Sequence, residues 1–409
     1  MGIRLTGRLN STPGVADDVA TWSDPLAQAL AQLPQERLRA LRSWQPHTDG
    51  GLQAAGPDAA TTPAPLKDLA SNDYLGLACH PALQQAATAA MAREGVGAGA
   101  SRLVSGSRPV HTQLEEALAA WLGRERVLLF PSGFQANLAA VQALADRHTL
   151  VLADRLIHHS LLVGVQASGA RLQRFAHNDL SDLERRLNMA RRDSPSRRLL
   201  VISESLFSME GTSPEVGALA SLAERHGAAL LLDEAHALGV LGPGGRGLGH
   251  GQRNISLISG TFGKAFGSGG AFLAGDALVG DWLLQHSGPF RYTTALAPPL
   301  AAAALAALEL MQAQPERGEA LLKRAERWRD GITAAGWPRP PGHGPILPLL
   351  VGDDRRAMAL QQQLEEAGWL TGAIRPPTVP PGTARLRLVL RHPLPQGSLM
   401  PLLAALGAP

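Results

Sequence analysis

Between residues 66 and 300 the chain alternates short, wholly apolar runs with amphipathic stretches. The runs at 127–130, 150–152, 199–202, 228–232 and 271–273 are strand-length and contain no polar residue, so each must be covered on both faces. Helical patterns such as 82–93 and 135–144 lie between them. Strands buried on both sides and separated by helices require a mostly parallel sheet with helices on each face, which predicts an α/β fold. Upstream, Leu and Ala recur at three- and four-residue spacing over 25–42, predicting a helix, and the Gly/Pro/Thr-rich stretch 50–65 predicts a linker. Past Ala301 the pattern changes to long Ala/Leu/Glu/Arg helices, an apolar run at 346–351, a helix at 357–367, an extended segment at 373–375 and a partly alternating strand at 385–390. That predicts a smaller α+β domain with one solvated sheet face. The expected division is an N-terminal segment and linker (1–65), a large domain (66–300) and a small C-terminal domain (301–409).

Composition narrows the function classes. Aromatic residues make up only 4% of the chain, so Leu, Val and Ala must fill the core. The 38 Lys and Arg residues against 35 Asp and Glu give a net charge of only +3, and the arginines are scattered among acids. Without a basic stripe, no nucleic-acid partner is expected. A single cysteine, Cys79, offers no internal disulfide and no zinc-binding spacing, which fits a reducing compartment. Residues 1–20 hold no continuous apolar run of the kind a secretory signal needs, and the apolar stretch 300–308 is far too short to span a bilayer. A cytoplasmic protein is expected, with no membrane association.

The strongest chemical signal is Lys264, set in the Gly-rich turn 259–270 with Ser and Thr hydroxyls nearby. A positioned, partly desolvated amine can attack an aldehyde, and glycines let a bulky ring approach the backbone. A Walker-type phosphate loop fails here, because Ala265 follows the lysine where Ser or Thr is needed. Asp233 ends the apolar run 228–232, where α/β sheets place function, and a carboxylate there calls for a cationic partner such as a protonated pyridine nitrogen. His236 follows closely enough to reach the same ring. Ser132, Gly133 and Phe134 open the helix at 135–144, and helix N-termini attract phosphate. Ser208 and Thr261 add hydroxyls at strand ends, although turn or capping chemistry would also explain them. His158 or His159 could stack on a ring. The Gly95-Val96-Gly97-Ala98-Gly99 run follows a helix, not a strand, which marks a turn and not a dinucleotide fingerprint. Arg375, stiffened by Pro376, Pro377 and Pro380, presents a fork suited to a carboxylate.

Together these describe a pyridoxal phosphate site. The sequence resembles the α-oxoamine synthases through Ser71-Asn72-Asp73-Tyr74-Leu75-Gly76-Leu77, the segment 99–106, Phe207-Ser208-Met209-Glu210-Gly211, Asp233-Glu234-Ala235-His236, Thr261-Phe262-Gly263-Lys264 and the segment 373–380. The resemblance covers about residues 35 to 405. It implies a fold-type I pyridoxal-phosphate-dependent transferase with a mainly parallel seven-stranded sheet, working as a homodimer with active sites at the interface. It implies that Lys264 holds the cofactor covalently, that Asp233 pairs with the ring nitrogen and that His158, not His159, stacks on the ring. Gly133, Phe134, Ser208, His236 and Thr261 complete the cofactor site, with Thr293 and Thr294 reaching a phosphate across the interface. Arg375 takes the amino-acid carboxylate, Thr378 lines the substrate channel and Arg42 contacts the acyl substrate. The Ile-Arg-Pro-Pro-Thr-Val-Pro segment at 374–380 implies the branch that condenses L-alanine with a pimeloyl thioester, carried by coenzyme A or acyl carrier protein. Branches that use glycine or serine, and a non-catalytic binding module that keeps the fold, share the core motifs.

Overall fold

The computed structural model describes residues 21–48, 50–60, 62 and 64–409. Residues 1–20, where no secretory signal is expected, lie outside the described residues. The chain divides into two units between Leu41 and Arg42. In the first, a helix (α1, Asp24–Ala31) and a single tight turn (Gln35–Arg37) are the described elements, and neither buries a residue. The helix expected over 25–42 stops at Ala31 because Pro34 has no N–H for the helical ladder and disfavours helical geometry at Leu33.

The second unit is built on a seven-stranded sheet: β1 (Arg126–Phe130), β2 (Thr149–Asp154), β3 (Arg171–Phe175), β4 (Arg198–Glu204), β5 (Ala229–Asp233), β6 (Leu257–Thr261) and β7 (Ala271–Gly275). Their spatial order is β1-β7-β6-β5-β4-β2-β3. All neighbours are parallel except β7, which runs antiparallel to both β1 and β6. The five apolar runs all become strands, while β3 and β6 escaped the apolar pattern. β3 is an edge strand paired only with β2, so its Arg and Gln residues reach water. β6 carries Gly260, where a Cβ would come within 2.3 Å of the Phe272 ring, so that packing rules out a side chain.

Alternate residues of each strand feed opposite faces. Leu128, Val151, Leu200 and Leu231 meet Ala139, Ala140 and Leu161 of two helices, α2 (Gly133–Leu144) and α3 (His159–Ser168). Leu129, Leu152, Val201 and Leu232 face the other layer, which includes Leu114 and Leu118 and the Ala-rich helix α4 (Pro298–Ala313). Each such side chain is fully buried, a contribution of about 1.5–3 kcal/mol apiece. No helix among the described residues is long and apolar enough to cross a membrane.

Towards the C-terminus, β8 (Ile346–Gly352), β9 (Gly372–Ile374) and β10 (Ala384–Val389) form an antiparallel sheet in the order β8-β10-β9. The solvated face expected from the alternation at 385–390 is absent. Every residue of β10 is buried except Arg385, which is half-buried, because Arg385 and Arg387 point at the 208–210 loop instead of water. Within the stretch 50–65 expected as a linker, Leu52–Ala54 forms a strand paired antiparallel with Trp44–Pro46.

The parallel strands β4, β5 and β6 end side by side at Glu204, Asp233 and Thr261. That is the carboxyl edge of the sheet, where open α/β folds bind ligands.

Candidate active site

Lys264 sits in the loop between antiparallel β6 and β7. Backbone bonds from Phe262 to Gly270, Ser268 to Phe262 and Gly267 to Lys264 wind the loop tightly. Gly267 makes the winding possible: it has φ +63°, and a Cβ there would lie 2.4 Å from the Ala78 nitrogen. The lysine is half-buried, and desolvation lowers its ammonium pKa from 10.5 to about 8. Asp233 and Glu204 pull that value up, while Arg387 pushes it further down.

Asp233 is buried, with Oδ1 accepting from the Ala235 N–H at 2.9 Å and Oδ2 from the Asn137 amide at 2.7 Å. Asn137, on α2, also donates to the Ser160 hydroxyl at 3.0 Å, and that hydroxyl lies 2.7 Å from Nδ1 of His158. Asn137 and Ser160 thus tie Asp233 to His158. His158 caps α3 through the Ser160 N–H and keeps a solvent-open face, the arrangement a stacking ring needs. Desolvation is the main cause that lowers its pKa, opposed by Asp233. Its backbone N–H is held at 2.6 Å by the buried carboxylate of Glu204, whose pKa burial and the adjacent Asp233 push well up.

At the start of α2, Ser132 caps the helix by accepting from Gln135, and a Cβ on Gly133 would stand 3.7 Å from the Thr261 hydroxyl. The N–H groups of Gly133 and Phe134 therefore open beside Thr261, which donates to the Gly270 carbonyl and accepts from Gly263. On the other side, His236 is buried with Nδ1 2.5 Å from the Tyr74 hydroxyl. Arg387 donates from Nε to the Ser208 carbonyl at 2.6 Å and from Nη2 to Asn72 at 2.9 Å.

The donor set fits pyridoxal phosphate. It offers an enclosed amine, a buried strand-end carboxylate for a ring nitrogen, an open imidazole face and a helix N-terminus beside a hydroxyl for an anion. The buried Asn137 Oδ1, which has no protein partner, marks polar capacity still unused in the same place.

Of the residues singled out from sequence, Gly133, Phe134, His158, Ser208, Asp233, His236, Thr261 and Lys264 converge here. Others do not. Arg375 donates to the Ala373 carbonyl, whereas Arg387 contributes, behind desolvation, to the shifts of Lys264, His236 and Tyr74. Thr378 is exposed in the turn after Arg375. Arg42 forks onto Glu365 at 2.7 and 2.6 Å and touches Thr62. Thr293 and Thr294 follow the exposed Tyr292 at the surface, where Ala295 bonds the Ala100 carbonyl. Sequence reasoning missed Asn137, Ser160, Glu204 and Arg387 as site residues. The available signals were a lone amide on an otherwise apolar helix face, a carboxylate ending an apolar run, and an arginine between leucines.

The profile of the family described as "Aminotransferase class I and II" matches residues 65–396. The chain is 46% identical over 371 residues to an 8-amino-7-oxononanoate synthase of Chromohalobacter salexigens, a match covering 90% of this chain and 92% of that one. Among solved structures it superposes on a Sphingomonas wittichii serine palmitoyltransferase with a TM-score of 0.86 at 26% identity, covering 94% of this chain and 96% of the other. It also superposes on an 8-amino-7-oxononanoate synthase from Francisella tularensis with a TM-score of 0.71 at 27% identity, covering 83% and 96%.

Proposed function

The chain belongs to the aminotransferase class I and II family, as a pyridoxal-phosphate-dependent acyltransferase, and from that premise we propose that it condenses L-alanine with a pimeloyl thioester. The products are 8-amino-7-oxononanoate, carbon dioxide and the free thiol of coenzyme A or acyl carrier protein, a step of biotin synthesis. The observation that carries the reading is the enclosure of the Lys264 amine among Asp233, Glu204 and Arg387. That enclosure would supply a base, an anionic anchor and a carboxylate-gripping fork around one point.

In this reading Lys264 would hold the cofactor, Asp233 would pair with its ring nitrogen, His158 would stack on its ring and His236 would bind it too. Gly133, Phe134, Ser208 and Thr261 would complete its site, joined by Thr293 and Thr294 of a second copy. Pyridoxal phosphate, when bound, supplies an electron sink that lets a proton leave the amino-acid α-carbon. Lys264 Nζ takes that proton. With a pKa of about 8, about a tenth of the amine is neutral at pH 7, compared with about one part in three thousand for an unperturbed lysine. Arg387 orients the alanine carboxylate, so the α-hydrogen faces the base. We assign the carboxylate grip to Arg387 and not to Arg375, because the charge of Arg387 acts on Lys264. Arg375 and Thr378 border the channel, and Arg42, already braced by Glu365, contributes positive charge toward the acyl substrate.

A homodimer is supported by the apolar residues Val96, Leu103, Val104, Tyr292 and Leu300, all exposed on the segments that the Ala295–Ala100 bond brings together. The test of the reaction is thiol release from pimeloyl-coenzyme A by the cofactor-loaded protein with L-alanine, glycine or L-serine. Release with alanine alone supports the reading. Release only with glycine or serine moves the chain to another branch of the family.

A further inference from the structure

Tyr74 lies on the segment 71–77, whose part in the chemistry the reading above leaves unassigned, and it is completely buried. Its hydroxyl stands between two groups of the site. On one side is His236 Nδ1 at 2.5 Å; on the other is Asn72 Oδ1 at 3.4 Å, an oxygen that already accepts from Arg387 Nη2 at 2.9 Å. A phenol has one proton to give. The 2.5 Å contact, against 3.4 Å to Asn72, directs that proton to the imidazole.

Resting on the functional reading above, we infer that Tyr74 is a positioning residue which fixes His236 as the Nε2–H tautomer. Nδ1 then accepts from Tyr74, and Nε2, for which the described residues provide no partner, is left as a donor for the cofactor ring. The charge state agrees with the geometry. Burial raises the Tyr74 pKa to about 12 although Arg387 draws it back, so the phenol keeps its proton. Burial, then Lys264, Arg387 and His158, hold His236 well below its usual value, so the imidazole stays neutral. A neutral imidazole has one N–H, and the Tyr74 hydroxyl decides which nitrogen carries it.

The test is nitrogen NMR on cofactor-free protein labelled with 15N at histidine, with the His236 signals identified by their loss in His236→Asn. The expected wild-type result is a neutral ring protonated at Nε2 throughout the neutral range. In Tyr74→Phe, which removes one oxygen, the ratio of Nε2–H to Nδ1–H shifts about three- to tenfold, the factor one net hydrogen bond carries. A wild-type ring protonated at Nδ1 overturns the inference even if the variant fails to fold, and so does an unchanged ratio in a folded variant. Alanine-dependent thiol release tests the other reading separately. Its absence beside an Nε2–H ring removes the substrate assignment and leaves the Tyr74–His236 pairing standing.

Discussion

Replacing Lys264 with methionine should abolish turnover of the cofactor-loaded protein and, in the cofactor-free protein, remove a pH-dependent strain on the fold. The folded chain releases the Lys264 proton at about pH 8, while the unfolded chain keeps it to 10.5. Between those values the unfolded state binds more protons, so unfolding free energy must rise with pH. Below about pH 8 the penalty is complete, at about 2.5 × 1.36, or about 3.4 kcal/mol. From about pH 7 to about pH 9.5 the wild type should regain about 2 kcal/mol relative to Lys264→Met. The thioether that replaces the amine cannot titrate, and groups remote from Lys264 cancel in the difference, whereas Glu204, His158 and His236, which feel its charge, do not. The absolute offset at pH 7 will be smaller than the penalty, because Lys264→Met also leaves Asp233 and Glu204 without their cation. Urea unfolding of both proteins at one fixed protein concentration measures the pH slope. A difference that stays flat across this range, or that falls, would refute the claim that Lys264 is held against its preferred charge.

Three other perturbations probe separate parts of the site. Arg387→Ala should lower kcat/KM for alanine about a hundredfold, whereas Arg375→Ala should cost less than about tenfold; steady-state kinetics with alanine varied compares them, and the reverse ranking returns the carboxylate to Arg375. Asp233→Asn should cut turnover by a factor of about a hundred to a thousand and weaken cofactor retention, followed by the visible absorbance of dialysed protein; full retention and turnover would free Asp233 from its role. Gly267→Ala should destabilise the fold by about 3 kcal/mol or more, because the new methyl meets the Ala78 nitrogen at 2.4 Å and the Leu77 carbonyl carbon at 2.5 Å. An unchanged urea midpoint in that variant would mean the loop can rewind at little cost.

The central strands were legible because burial on both faces leaves an unbroken apolar run, and Asp233 was legible because it interrupts such a run at its end. Lys264 stood out through the glycines that its loop geometry demands. Residues whose roles come from distant partners stayed hidden. Arg387 alternates with leucines as a solvated strand residue would, and only the approach of the 208–210 loop makes its position interior. Glu204 is silent in sequence because its meaning depends on the register that sets it opposite Asp233. Asn137 interrupts an apolar helix face as many tolerated amides do, until β5 is placed beneath it. Propensity misled at 25–42, where one proline outweighed a favourable apolar spacing.

The antiparallel pairing of β6 with β7 bears on the order in which the site comes together. Thr261 and Ala271 are paired across a loop of only nine residues, so the lysine-bearing hairpin has little closure entropy to overcome. A hairpin of this kind can close within microseconds. The guanidinium of Arg387 must travel 123 positions along the chain to reach the same point, a contact of high sequence separation that slow folding steps supply. The amine is therefore shaped by its immediate neighbours, and the groups that tune it arrive afterwards. Detaching β10 from the 208–210 loop would strip away the anion grip while leaving the lysine turn wound, so partial opening and loss of substrate hold are expected to be one event.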